Sequence, residues 1–134
     1  MKEVRFLSTE QVLEIHQAIV ERYGGDPAIR DVGLIESAVM MPQQTFGGRL
    51  LHPTMGAMAA AYLFHLCGNH GFVDGNKRTA LAAALVFLDA NGYRLELTRR
   101  ELERVTMDVA AGKLDKDRLS RRFKSTCRRK KGRF

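Results

Sequence analysis

Apolar residues recur along most of this chain at helical spacing, and the places where the spacing fails mark the boundaries between elements. Over residues 9–23, Val12, Ile15, Ile19 and Tyr23 return near every third or fourth position, and Gly24-Gly25 breaks the run. Asp26-Pro27 suits a turn or a helix start, with Asp as cap and Pro in the first position. A second helix is predicted from about Asp31 to Met41, because Pro42 cannot continue it. Residues 42–53, with Gln43-Gln44, Gly47-Gly48 and His52-Pro53, form a connection of the length at which unstructured loops become uncommon and are often functional. Two further helices, Thr54 to about Asn69 and Asn76 to about Asn91, are apolar nearly all round, which places them in the middle of a fold. Tyr93, Leu95 and Leu97 then alternate with Arg94 and Glu96, giving a short strand at most. Thr98 and Glu101 form a capping box that opens a fifth helix, with Leu102, Val105 and Val109 inward and Gly112 at its end. A short sixth helix runs from about Asp115 to Phe123. No repeat and no linker divides the body, so the pattern predicts one all-α domain.

The 134 residues and 45% hydrophobic content suffice for a core without staples, and they point to an ordinary globular protein. No apolar run approaches the roughly 20 residues that cross a bilayer, and no basic segment followed by an apolar one opens the chain. The expectation is a cytoplasmic protein without a membrane segment. Cys67 and Cys127 do not make a disulfide framework and are expected as a buried and a surface thiol. The net charge of +7 hides an asymmetry. Residues 118–134 hold nine Lys or Arg and no acid, and removing those nine leaves the first 117 residues at −2. We therefore divide the chain into a body, residues 1–123, and a basic C-terminal tail, residues 124–134. The tail is expected as a solvated, partly disordered arm; the other reading is an arm for an acidic partner or nucleic acid.

Between the two apolar helices lies a polar run, His70-Gly-Phe-Val-Asp-Gly-Asn-Lys-Arg78. An imidazole such as that of His70 can take a proton from an attacking hydroxyl. Asp74 can hold a hard cation such as Mg2+, which uses one or two carboxylates plus substrate phosphates. Gly75 and Asn76 stand where the fourth helix begins, and its unpaired N–H groups and positive dipole end attract anions. Lys77 and Arg78 put two cations at that same end, against the helix's own preference. Taken singly, each residue has a plainer explanation: a polar loop histidine, an Asp-Gly turn pair, an Asn cap, a solvated helix end. Their coincidence within nine residues describes a polyphosphate cradle. Phe72 is the expected anchor of the loop on the core.

This run resembles the signature of the Fic/Doc superfamily, H-x-F-x-[D/E]-[G/A]-N-[G/K]-R, and Lys77 points to the Doc (death-on-curing) toxin branch. Arg22-Tyr-Gly-Gly-Asp-Pro27, Asp31-Val-Gly-Leu34, Pro42-Gln-Gln-Thr-Phe-Gly-Gly48 and Asn76-Lys-Arg-Thr-Ala80 through Asn91-Gly92 extend the resemblance from about residue 5 to about residue 120. It implies a Fic-type fold of about six helices around two central buried ones, with residues 42–53 as a flap that holds a target segment as an added strand. It implies His70 as general base, Asp74 as the Mg2+ ligand, and Gly75, Asn76 and Arg78 as phosphate binders. Lys77 implies a turned ATP whose γ-phosphate meets the acceptor, hence phosphorylation of a threonine of elongation factor Tu, and growth arrest. Relatives with Gly at that position transfer AMP, which is the alternative activity; a catalytically weak module that binds a partner or nucleic acid is the other. Three departures stand out. Gly71 replaces a frequent Pro and should leave the loop less stiff. Leu81 replaces the second Arg of AMP-transferring members. The basic tail has no counterpart. No Ser or Thr is followed four residues later by Glu, so the self-inhibitory motif of some members is missing, which implies restraint by a separate antitoxin, Phd-like or similar.

The remaining histidines, His16 and His65 on helix faces and His52 before a proline, form no metal-ligand pair and are read as structural. A helix-turn-helix needs a turn of about 3–4 residues, and the break between Asn69 and Asn76 is too long for one. Nucleic acid binding is expected only through the tail.

Overall fold

A computed structural model of the chain describes residues 3–131. Six helices form the body: α1 (Thr9–Tyr23), α2 (Val32–Met40), α3 (Met55–Asn69), α4 (Asn76–Ala90), α5 (Arg99–Ala110) and α6 (Lys116–Thr126). Four short strands make two separate antiparallel pairs. In one, β1 (Thr45–Phe46) pairs with β2 (Arg49–Leu50); in the other, β3 (Tyr93–Leu95) pairs with β4 (Cys127–Arg129). The architecture is the all-α one expected, with α3 and α4 at its centre.

Helix starts follow local chemistry. Ser8 and Gln11 form a reciprocal capping box on α1, Asp31 caps α2, Thr54 caps α3, and Thr98 with Glu101 boxes α5. Every residue of α3 from Gly56 to Leu63 is buried. Small side chains, Ala59 and Ala60 on α3 and Ala80, Ala83 and Ala84 on α4, line the core with Tyr62, Phe87 and Leu88. Helices α3 and α6 approach closely at Gly56. A Cβ at Gly56 would stand 2.7–2.8 Å from the backbone of Phe123 and Lys124. Tyr62 is fully buried, and its hydroxyl accepts a hydrogen bond from the Leu7 amide at 2.8 Å. Burial pushes its pKa up to about 12. Asn91 clasps both backbone groups of Arg5, so the N-terminal segment is tied to the end of α4.

Of the two readings of Asp26-Pro27 the turn holds: Asp26 Oδ1 accepts from the Ala28 amide at 2.9 Å, no helix starts there, and residues 28–30 run extended beside the loop that follows α3. Two expectations need correction. Residues 42–53 are not simply a loop, because β1 and β2 pair within them around Gly47-Gly48, both at positive φ. The boundary drawn at residue 123 falls inside α6, which continues to Thr126, and β4 then pairs with β3. The terminal segment is therefore structured through Arg129 rather than an arm. Cross-strand and tertiary ion pairs hold it: Arg122 to Glu101 at 3.7 Å, Arg128 to Glu96 at 3.0 Å, and Lys130 to Asp89. Residues 132–134 of the expected tail, including Arg133, lie outside the described residues.

Two histidines sit on the α6 side of α3. His52 is buried, and its Nδ1 has no hydrogen-bond partner among the described residues; the same holds for Nε2 of His65. Burial lowers the His65 pKa to about 4 from an ordinary 6.5, helped by the charges of Lys116 and His52. Burial and Lys116 shift His52 in the same direction. Each ring takes up a proton more readily in the unfolded chain, so acid favours unfolding. Stability is expected to be fully present above pH 6.5, to fall as pH drops through the window down to about 4, and to lose this contribution's slope below it. Urea denaturation of the wild type and of His65→Gln across that window checks this; equal pH slopes for the two proteins would refute it.

Candidate active site

The loop of residues 70–75 carries α3 into α4, and its course is set by backbone requirements. His70 ends α3 in the left-handed conformation, φ 49°, the single non-glycine among the described residues with positive φ. That conformation costs roughly 1 kcal/mol for an L-residue and persists only where neighbours enforce it. Arg30 does so, donating from Nε to the His70 carbonyl at 2.7 Å. The amides of Arg30 and Asp31 both donate to the Gly71 carbonyl, at 2.8 and 3.0 Å, and the Val73 amide donates to Ala28 at 3.1 Å. The extended segment 28–31 thus fastens one side of the loop.

Asn76 fastens it from within. Its Oδ1 accepts from the Phe72 amide and its Nδ2 donates to the Phe72 carbonyl, at 3.1 and 2.9 Å. The Asn76 side chain is therefore a loop clasp, and what it can offer an anion is its backbone N–H. The helix cap is Gly75 at φ 81°, and no side chain among the described residues caps α4. Its first-turn N–H groups are left for solvent or a ligand.

The third fastening comes from α1, where sequence pattern saw only a helix-face histidine. His16, 2% exposed, lies parallel to the Phe72 ring with centroids 3.7 Å apart and planes 10° off. Its Nε2 donates to the Asp74 carbonyl at 2.8 Å, which fixes the tautomer because a carbonyl only accepts. The helical spacing of Val12, His16 and Val20 places this residue on the buried face of α1, but nothing in the spacing says that its polar edge meets a loop 58 residues away.

With the backbone so held, Gly71 and Phe72 are buried while His70, Asp74, Lys77 and Arg78 are exposed together. Asp74 Oδ2 accepts from the Asp26 amide at 2.8 Å, leaving the other oxygen open. The Arg78 guanidinium rests over the Tyr23 ring, 4.3 Å from its centroid. The charge of Lys77 opposes the upward shift that burial imposes on the Cys67 thiol of α3. Among the described residues no three His, Cys, Asp or Glu side chains group to hold a metal ion. A cation here has one protein carboxylate, which matches Mg2+ completed by phosphate oxygens and water. All six sequence-derived site residues, His70, Asp74, Gly75, Asn76, Lys77 and Arg78, stand on this one loop and the first turn of α4.

Gly71 has a steric reason. A Cβ there would lie 2.3 Å from Ile35 Cγ1, so α2 itself demands a residue without a side chain.

The model of the Fic/DOC family matches residues 6–88, from the segment before α1 to the end of α4. The chain is 49% identical over 73 residues to "Toxin Doc" of Mycolicibacterium smegmatis, covering 54% of this chain and 56% of that protein, so it spans little more than half of that relative. It is 33% identical over 111 residues to "Protein kinase doc" of Escherichia phage P1, covering 83% of this chain and 86% of that one.

If His16 braces the loop, its variants should separate packing from hydrogen bonding. His16→Phe keeps a ring against Phe72 but leaves the Asp74 carbonyl without its donor, and should cost about 1–3 kcal/mol. His16→Ala also opens a cavity and should cost more, on the order of 3–5 kcal/mol. Denaturation curves and amide exchange of residues 72–76 measure both. Wild-type protection of those amides in His16→Ala would refute the bracing role.

Proposed function

The chain belongs to the Fic/DOC family, and on that footing we propose that it is a Doc-like toxin of a toxin–antitoxin pair. In this reading it transfers the γ-phosphate of ATP to a threonine hydroxyl of a translation factor such as elongation factor Tu, and so arrests growth. The observation that carries the reading is the joint exposure of His70, Asp74, Lys77 and Arg78 on a loop whose backbone is fastened from three sides. The names of the two relatives, a toxin and a protein kinase, support it.

Each residue has a definite task. His70, at the end of α3, accepts the proton of the attacking hydroxyl as its oxygen bonds to the γ-phosphorus and the bond from that phosphorus to the β–γ bridging oxygen breaks, releasing ADP. The free oxygen of Asp74 would hold Mg2+, which supplies charge neutralisation between phosphate groups when bound. The N–H groups at Gly75 and Asn76 receive phosphate oxygens on the uncapped start of α4. Arg78 adds a planar guanidinium already oriented by Tyr23. Lys77 adds a point charge where AMP-transferring relatives have no side chain, and Leu81 leaves out their second arginine. Both favour phosphate over AMP transfer. The β1–β2 hairpin, with Phe46 82% exposed, is suited to receive an extended target segment along its edge. Restraint falls to a separate antitoxin, Phd-like or similar, since the chain lacks the internal inhibitory motif.

Incubation with ATP labelled at either the α or the γ position, together with a bacterial lysate, tests the reading. Label is expected from γ and not from α, and His70→Ala should lower it by about 10²-fold or more and relieve growth arrest. Lys77→Gly should weaken γ transfer. Label retained from α would replace phosphorylation by AMP transfer. Label from neither position would remove the enzymatic reading.

A further inference from the structure

The β1–β2 hairpin returns to the body through a short stem, residues 51–54, and this stem does not close against α6. Between them lies a cavity of about 360 Å3, lined by His52 and Thr54 on one side and by Lys116, Asp117, Ser120 and Lys124 on the other. Lys116, Ser120 and Lys124 fall at i, i+4 and i+8, so they form one stripe along α6. The cavity opens at the N-terminal end of α3, while His70 caps its C-terminal end. Fifteen residues of helix put the two about 20 Å apart. This space is therefore not part of the loop site.

Its lining is matched to an anion. Two ammonium groups face one carboxylate, and among the described residues neither Lys116 nor Lys124 has an acidic partner within salt-bridge distance. Lys116 is also the first residue of α6, where the helix dipole disfavours a cation that has no anion beside it. The Thr54 oxygen accepts from the Ala57 amide, so its hydroxyl proton remains free to donate, and Ser120 adds a second hydroxyl. His52 lies in the wall of this cavity and is 7% exposed; its Nδ1 has no hydrogen-bond partner among the described residues but sits beneath the accessible surface, so a ligand meets it only after the ring turns. A metal ion would meet a single carboxylate against two lysines. An apolar ligand would strand all of these donors.

We propose that the cavity between the hairpin stem and α6 binds a phosphate-class oxyanion, inorganic phosphate or a small phosphate monoester, at a site separate from the loop of residues 70–78. Bound there, the oxyanion bridges Lys116, Ser120 and Lys124 of α6 to His52 and Thr54. It thereby anchors the root of the β1–β2 hairpin to the body.

Nuclear magnetic resonance titration of the full chain with inorganic phosphate, and separately with glycerol phosphate, tests this at ionic strength held constant with chloride. Saturable shifts are expected at the His52 ring and Ser120. The His52 pKa should rise on saturation, because an anion favours the imidazolium. The double variant Lys116→Gln, Lys124→Gln should weaken binding by about tenfold or more, while His70→Ala leaves it unchanged. Lys124 is exposed and Lys116 half-buried, and an unchanged melting curve confirms that the double variant is folded. Saturation by glycerol phosphate alone would identify the monoester as the ligand. The proposal fails if neither compound saturates, if chloride gives the same shifts, or if the folded double variant binds as tightly as the wild type.

Discussion

The structure depends on one reversal of direction. Two packed helices, α3 buried along most of its length and α4 along one face, must be joined within six residues, and the buried part of that connection, Gly71 and Phe72, cannot leave its amides and carbonyls unpaired. Here they are satisfied by chain segments remote in sequence: Arg30 and the amides of residues 30 and 31, the Ala28 carbonyl, and His16. Asn76 completes the set from the helix that follows. Because the backbone groups are engaged inward, the polar side chains of His70, Asp74, Lys77 and Arg78 turn outward. The same hydrogen bonds that permit the reversal create the constellation, and they hold it before any ligand arrives, as preorganised chemistry requires.

Charge is arranged by a comparable economy. The terminal segment carries the excess of Lys and Arg, the body carries the acids, and the folded chain brings the two into register through β3 and β4. Arg94 and Arg128 stand directly opposite one another in that pair, a repulsive arrangement, and Glu96 contacts both. Each such pair is about half exposed and contributes at most about 1 kcal/mol. Their collective effect is on specificity: they place the last strand beside β3, with Lys130 against Asp89 at the end of α4. A cationic block engaged in this way has fewer charges available for nucleic acid than its composition implies.

How far the residues themselves revealed this can be judged element by element. The helices were readable because their signals are local: periodic apolar positions, the Thr98–Glu101 capping box, and glycine stops. The loop was readable because its polar residues are contiguous and sit between two apolar runs. The role of His16 was not, since its partners are Phe72 and Asp74 and only tertiary packing brings them together. The β4 strand was missed because a run of arginines and lysines carries no apolar alternation, and its pairing partner lies more than 30 positions upstream. The role of Asn76 as a clasp, with Gly75 as the cap, likewise depends on loop geometry that no periodicity encodes.

The contact between Gly71 and Ile35 has a consequence for the ancestry of the chain. The family signature that the sequence resembles often has a proline where Gly71 stands, and a pyrrolidine ring cannot enter space already filled by the isoleucine at 2.3 Å from that Cβ position. The two sites are therefore bound in epistasis. A lineage moving between the two states must shrink residue 35 first or pass through a poorly folded intermediate, and a chimaera that borrows the loop without α2 inherits the collision.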